Sequence, residues 1–364
     1  MNNKEKMLSV LHYAPNAEMP IVHFGFWDDT VEKWKQEGHI RKKDDWKTIA
    51  SKLGFDFGYA ECFSCIAALQ PSFKKKVIEK LDDGSLHVLT SDGVIELQKP
   101  GITSIPAEIG HTLTDRASWE RHYLPRLKYS DKRCDLKKLK KYAADSDQPL
   151  GISGGSLYGV IRNWFGIVEL SYIAADDEDL YDEVIQTVAD LAYKTVELGL
   201  QKAGSLGICF DYMHFWEDIC FSTGPLINPS IFAEKIGPHY KKITDIGKQY
   251  GIKIFSLDCD GQIDLLLPTW LENGVNTMFP IEVGTWNACI APWRAKYGEA
   301  LLGVGGMDKR VFAQDKSAVD AEIERLKPLV ALGGYIPCPD HRISPDAKWD
   351  NVRYYCDKMH EVFC

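Results

Sequence analysis

From residue 150 onward the chain repeats one unit, a short apolar run that ends in Gly or a polar residue and leads into an amphipathic helical stretch. The runs cover residues 150–157, 206–214, 252–258, 275–282, 301–307 and 334–341. Strand alternating with helix leaves few architectures, because each strand must return parallel to the last with a helix packed across it. Runs at 19–27 and 54–62 bring the predicted strands to eight. Eight such units close most naturally into a (β/α)8 TIM barrel, which takes roughly 250 residues. The surplus predicts an N-terminal helical extension and an excursion over 63–148 with an inserted hairpin, since residues 84–97 alternate apolar and polar around Ser91-Asp92-Gly93. A doubly wound open sheet fits less well, because no Gly-rich dinucleotide loop follows the first strand. The expectation is one α/β domain over residues 1–364.

Helix boundaries support this pattern. Asn228-Pro229 supplies a cap and a proline for the first helical position, and Gly251 ends the stretch. In the last helix Trp349, Val352, Cys356 and Met359 are spaced 3, 4 and 3 apart, which puts Cys356 on the buried stripe.

The formal charge of −9, with no basic run longer than Lys74-Lys75-Lys76, excludes a phosphate-neutralising surface, so no nucleic-acid partner is expected. No apolar stretch approaches 18 residues, so no membrane span is expected either. Residues 1–15 show no secretory pattern, and ten scattered cysteines read as free thiols. The protein is expected in a reducing cytoplasm. Cys62-x-x-Cys65 stands alone, without a second pair at zinc-finger spacing, and reads as two buried thiols on a helical turn.

In a barrel, chemistry gathers at the C-terminal ends of the strands. Those ends carry His23 and Trp27, then Glu61, then Tyr212, Trp216, Glu217 and Asp218 in YMHFWED, then Asp258 and Asp260 in SLDCDG, then Glu282, Asp308, Asp340 and His341. Strand alternation puts Asp258 and Asp260 on one face and Cys259 on the other. With Glu282 and His341 they form a set able to hold a divalent metal or share a proton. Asp258, Glu282 and His341 are the candidate catalytic groups. His23, Trp27, Tyr212, Trp216, Glu217 and Asp218 are the candidate substrate contacts. Ser153-Gly154-Gly155-Ser156 lets a ligand approach the backbone, and Gly303, Gly305 and Gly306 read as tight packing rather than a phosphate cradle.

Six segments in order resemble the uroporphyrinogen decarboxylase superfamily over about residues 145–362: GISGGSLYG, FWED followed by GPLINPSIFAEKIGPHYKKI, SLDCDG, NGVNTMFPIE, GVGGMDKR and GGYIPCPDHRISPDAKWDNVRYY. The resemblance implies a (β/α)8 barrel. It also implies either decarboxylation or methyl transfer to a corrinoid protein. The decarboxylases grip a polyacid with arginines after the first strand, whereas this chain reads His23-Phe24-Gly25-Phe26-Trp27-Asp28-Asp29 there. The corrinoid-dependent methyltransferases bind zinc through His-x-Cys before a glycine plus a distant Cys. Aligned on Gly261, those positions fall on Asp258, Asp260 and His341, so zinc is expected on Asp258, Asp260, Glu282 and His341 without thiolates. Some of the members that the chain most resembles look like ether- or amine-demethylating methyltransferases of anaerobes. The resemblance implies a small methylated substrate and a corrinoid protein as partner. A decarboxylase of a small acid and a non-catalytic ligand-binding barrel are the alternatives.

Overall fold

The computed structural model describes residues 1–100, 106–144 and 147–364. Fifteen strands are present among them, and nine of these make up the central parallel system. The first is β1 (Val22–His23), which pairs in parallel with β2 (Phe57–Gly58). A seven-stranded parallel sheet follows: β3 (Cys62–Phe63), β8 (Gly151–Gly155), β9 (Tyr212–Glu217), β12 (Ile254–Cys259), β13 (Thr277–Phe279), β14 (Leu302–Met307) and β15 (Tyr335–Pro339), in that spatial order. β2 and β3 are two pieces of one run: Phe57 and Gly58 face β1, and four residues on, Cys62 and Phe63 face β8. At the other side, Trp27 N–H donates to Ile343 O at 3.2 Å and Ile343 N–H to Gly25 O at 3.0 Å, just past β15.

Burial on both faces explains the strand sequences. All six residues of β12 and of β14 are buried, as expected where helices cover one face and side chains fill the other. The longest covering helix, Glu178–Gly204, buries Val184, Val188, Leu191 and Thr195 against the sheet. Its end corrects the predicted run 206–214: Gly207, at φ +69°, turns the chain, and the strand begins only at Tyr212. The predicted 19–27 strand likewise shortens to two paired residues.

The N-terminal extension is the helix Asn3–Leu11, closed by a reciprocal cap in which Glu5 N–H donates to Asn2 Oδ1 and Asn2 N–H to Glu5 Oε2. The inserted hairpin is larger than expected. It is the middle of a four-stranded antiparallel sheet, β4 (Lys76–Lys80), β5 (Leu86–Leu89), β6 (Val94–Gln98) and β7 (Ala107–His111). The Ser91-Asp92-Gly93 turn joins β5 to β6, with Gly93 at φ +85°. A short ribbon, β10 (Cys220–Phe221) with β11 (Gly224–Pro225), follows β9. Cys62 lies on β3, in keeping with the predicted run 54–62, and this corrects the helical-turn reading of Cys62 and Cys65. Asn228 caps Ser230 N–H, Gly251 ends that helical region at φ +87°, and the last helix, Trp349–Phe363, buries Trp349, Val352, Cys356 and Met359. Among the described residues no helix is long and apolar enough to cross a membrane.

Candidate functional site

Register decides which side chains meet. Asp258 on β12 pairs with Trp216 on β9 and with Phe279 on β13, so these three stand level. Phe279 heads an aromatic layer. Its ring lies 4.5 Å from Phe24, 5.1 Å from Tyr59 and 6.0 Å from His214, and the Tyr59 hydroxyl donates to Ser256 Oγ at 3.0 Å. Burial alone pushes the His214 imidazole down to about 3. Phe24 meets His341 edge-on at 5.2 Å, and Trp27 stacks on that imidazole at 5.5 Å.

On this aromatic layer the acids converge. Asp260 Oδ2 lies 3.4 Å from His341 Nε2, while Asp260 Oδ1 is buried without a partner. Glu282 Oε2 accepts Gly261 N–H at 2.6 Å, and its Oε1 accepts the Thr285 hydroxyl at 2.8 Å. Asp340 Oδ2 accepts Gly284 N–H at 2.6 Å. Asp258 is 9% exposed, and among the described residues its carboxyl makes no hydrogen bond. Burial, then the charges of Asp260 and Asp218, lift its pKa well above the carboxylate range; Arg342 opposes this and Glu282 adds to it. Burial and Asp260 raise Glu282 in the same direction. Asp258 is therefore the group best held as a neutral acid.

Two cations here went unread in the sequence. Burial lowers the pKa of Lys309, in MDKR, and the charges of Asp340, Glu282 and Asp260 oppose that shift. Arg342 directly follows His341 and acts electrostatically on Asp258. Each sits next to a residue that had been singled out, so adjacency to Asp308 and His341 was the available signal.

Several expected substrate contacts lie elsewhere. Tyr212 pairs with Ile254, four residues below Asp258, which is about 13 Å down the strand. Its hydroxyl donates to Glu61 O at 2.8 Å inside the sheet. Glu217 is an internal anchor for the helix Gly159–Phe165. Its carboxylate accepts the N–H groups of Leu157 (2.6 Å), Tyr158 (3.2 Å) and Gly159, together with the hydroxyls of Ser156 (3.1 Å) and Tyr240 (2.6 Å). No oxygen lone pair is left to face a substrate. Alternation along β9 explains this, since Trp216 faces the acids and its neighbour faces the helix layer. Asp218 stays close enough for its charge to act on Asp258, but its carboxylate is bound to the Arg162 guanidinium. His23 is packed between Phe26 and Phe55, with its imidazole pushed down to about 4 by burial. It lines a cavity of about 400 Å³ with Lys47, Glu61 and Tyr142, to which none of the converging acids contributes. Trp27 and Trp216 remain beside the acids.

The glycine segments serve packing. A Cβ on Gly154 would lie 2.5 Å from the Phe215 ring, and one on Gly305 would overlap the Pro280 carbonyl.

These contacts bear on the zinc expectation. Both Glu282 oxygens are engaged, and Asp260 faces His341. Cys259 turns away to Cys220, and Cys338 is fully buried. Among the described residues no group of three or more His, Cys, Asp or Glu side chains is arranged to hold a metal ion. The residues do not fit a resident zinc in this arrangement.

No protein-family model and no curated protein matches the sequence. Among solved structures, a methyltransferase from Methanosarcina mazei is similar over the whole of both chains, at 12% identity and a TM-score of 0.60. A B12-independent methionine synthase from Shewanella sp. W3-18-1, in complex with selenomethionine, covers 95% of this chain and 98% of its own at 11% identity and a TM-score of 0.48. The likeness to the first is one of fold, and that fold agrees with the resemblance to the uroporphyrinogen decarboxylase superfamily.

Proposed function

We propose that this chain is a methyltransferase of the uroporphyrinogen decarboxylase superfamily, folded as a closed (β/α)8 barrel, that demethylates a small O- or N-methyl compound. A cytoplasmic corrinoid protein is the acceptor, and its cobalt(I) supplies the nucleophile that takes the methyl group. The backbone contacts of Ile343 with Gly25 and Trp27 support closure between the first strand and the last. The methyltransferase of the same fold supports methyl transfer as the reaction class.

One observation carries the chemistry: Asp258 is a buried carboxyl with no hydrogen-bond partner among the described residues, level with Phe279 of the aromatic layer, where burial and acidic neighbours favour its protonated form. An alkoxide or amide ion leaves poorly, so the carbon–heteroatom bond breaks only as a proton arrives on the heteroatom. Asp258 donates that proton, the methyl group departs to the acceptor, and the alcohol or amine is released with Asp258 ionised. His341, held by Asp260 and stacked on Trp27, returns a proton to Asp258 between turnovers. Trp27, Trp216 and Phe24 bound the apolar methyl end. No step is routed through zinc.

The test is methyl transfer from a panel of methyl ethers and methylamines to cob(I)alamin, followed by the cobalamin spectrum, with wild type and Asp258→Asn. Transfer by the wild type that falls on the order of 10²- to 10⁴-fold in the variant supports the reading. Equal rates, or no transfer from any donor, overturn it. Lys309 and Arg342 favour a second reading, decarboxylation of a small acid, which release of CO2 without methyl transfer would establish.

A further inference from the structure

Arg342 is a fixed cation that the chemistry above does not use. The residue after it is held from both sides, since Ile343 N–H donates to Gly25 O and Ile343 O accepts Trp27 N–H. The guanidinium lies 5.5 Å over the Trp27 ring and 5.9 Å from the Trp46 ring. Trp46 reaches that position because Gly25 has no side chain. A Cβ there would sit 2.7 Å from the indole, and the φ of +107° disfavours any other residue. Two cation–π contacts hold a side chain that would otherwise sweep through water.

That arrangement leaves the donor edge open. Among the described residues the Arg342 guanidinium makes no hydrogen bond and no ion pair. A guanidinium has five donors and no acceptor, in a planar fork that matches an oxyanion. Lys309 is less suited to this role, because Asp340, Glu282 and Asp260 already act electrostatically on its charge. A dianionic phosphate would meet repulsion from the same acids with one open cation to offset it, so a carboxylate is the better match.

We infer that Arg342, clamped between Trp27 and Trp46, binds the carboxylate of the substrate, so that the methyl donor is a small carboxylic acid bearing an O- or N-methyl group. The assignment of a methyl donor rests on the function proposed above, whereas the carboxylate subsite rests on Arg342 alone.

Calorimetric titration with benzoate and with benzamide tests the subsite without turnover. The wild type is expected to bind benzoate at least 10-fold more tightly than benzamide. Arg342→Gln should abolish that preference, and Arg342→Lys, which keeps charge but not the fork, should retain part of it. Circular dichroism identifies any variant that fails to fold, and the comparison of the two ligands on wild type stands without the variants. Equal binding of the two by wild type, binding of neither, or an unchanged preference in Arg342→Gln overturns the subsite. Turnover with 4-methoxybenzoate and 4-methoxybenzamide separates the two proposals. Carboxylate selectivity in binding without methyl transfer keeps the subsite and removes the methyl donor; equal transfer from both compounds does the reverse.

Discussion

Replacing Glu217 with alanine asks whether this residue meets substrate or holds the structure. The wild-type carboxylate is 1% exposed and accepts from three successive backbone N–H groups, at Leu157, Tyr158 and Gly159, and from the hydroxyls of Ser156 and Tyr240. A Cβ on Gly159 would come within 2.9 Å of the carboxylate, so the helix start is built tightly around it. Burial raises the Glu217 pKa, and the Tyr240 hydroxyl and the three amides pull it back. Truncation strands the amides and the Tyr240 hydroxyl in a dry site. Each stranded donor costs about 1–3 kcal/mol, so four sum to about 4–12 kcal/mol before relaxation and water entry. Removing one side of a buried charged network usually costs about 3–5 kcal/mol, which sets the expectation for Glu217→Ala at about 4 kcal/mol. Glu217→Gln keeps one acceptor and turns an amide against N–H donors, which should cost about 2 kcal/mol. Against a total stability of about 5–15 kcal/mol, the alanine variant should show a much lower urea midpoint. Two variants within about 0.5 kcal/mol of wild type would refute the anchoring argument. A variant of normal stability that loses methyl transfer would return Glu217 to the substrate contacts.

Two further outcomes are expected. The folded-state pKa of Asp258 is raised above its unfolded value, so its ionisation works against the fold, and stability falls as pH rises from about 4 through the folded pKa. Asp258→Asn should remove that fall, so its melting temperature should equal or exceed that of wild type at pH 7–8, measured by calorimetry across pH 4–8. His341→Ala removes a partly exposed ring from between Phe24 and Trp27, so its melting temperature should change little. Its rate of methyl transfer should drop on the order of 10²- to 10⁴-fold, and a variant that unfolds readily or turns over normally would take His341 off the proton path.

The parallel strands after residue 150 were legible because each is a short apolar run between a helix end and a helix start, a pattern that survives in one dimension. Strand ends were less so. The run 206–214 looked continuous, yet Gly207 spends its first residues turning out of the long helix, and Cys62 looked helical by spacing although it pairs with Gly151 on β8. The insertion showed its turn at Ser91-Asp92-Gly93 but not its outer strands. β4 is exposed throughout, so burial imposes no alternation that could be read.

What the sequence determined by itself was which residue types stand at the strand ends, because backbone order and a period of two set that directly. It placed Asp258 and Asp260 at one strand end, Glu282 at the next and His341 two ends further on, with Cys259 turned away. What only the tertiary structure decided was the state of each group, which depends on neighbours from other strands. Glu217 and Trp216 are adjacent in sequence, yet one is consumed by a helix start from the preceding unit and the other stands level with Asp258. The Asp258 pKa is raised because burial, Asp260 and Asp218 act on it together. Arg342 becomes an open donor because Gly25, more than three hundred residues earlier, leaves room for Trp46 beside it.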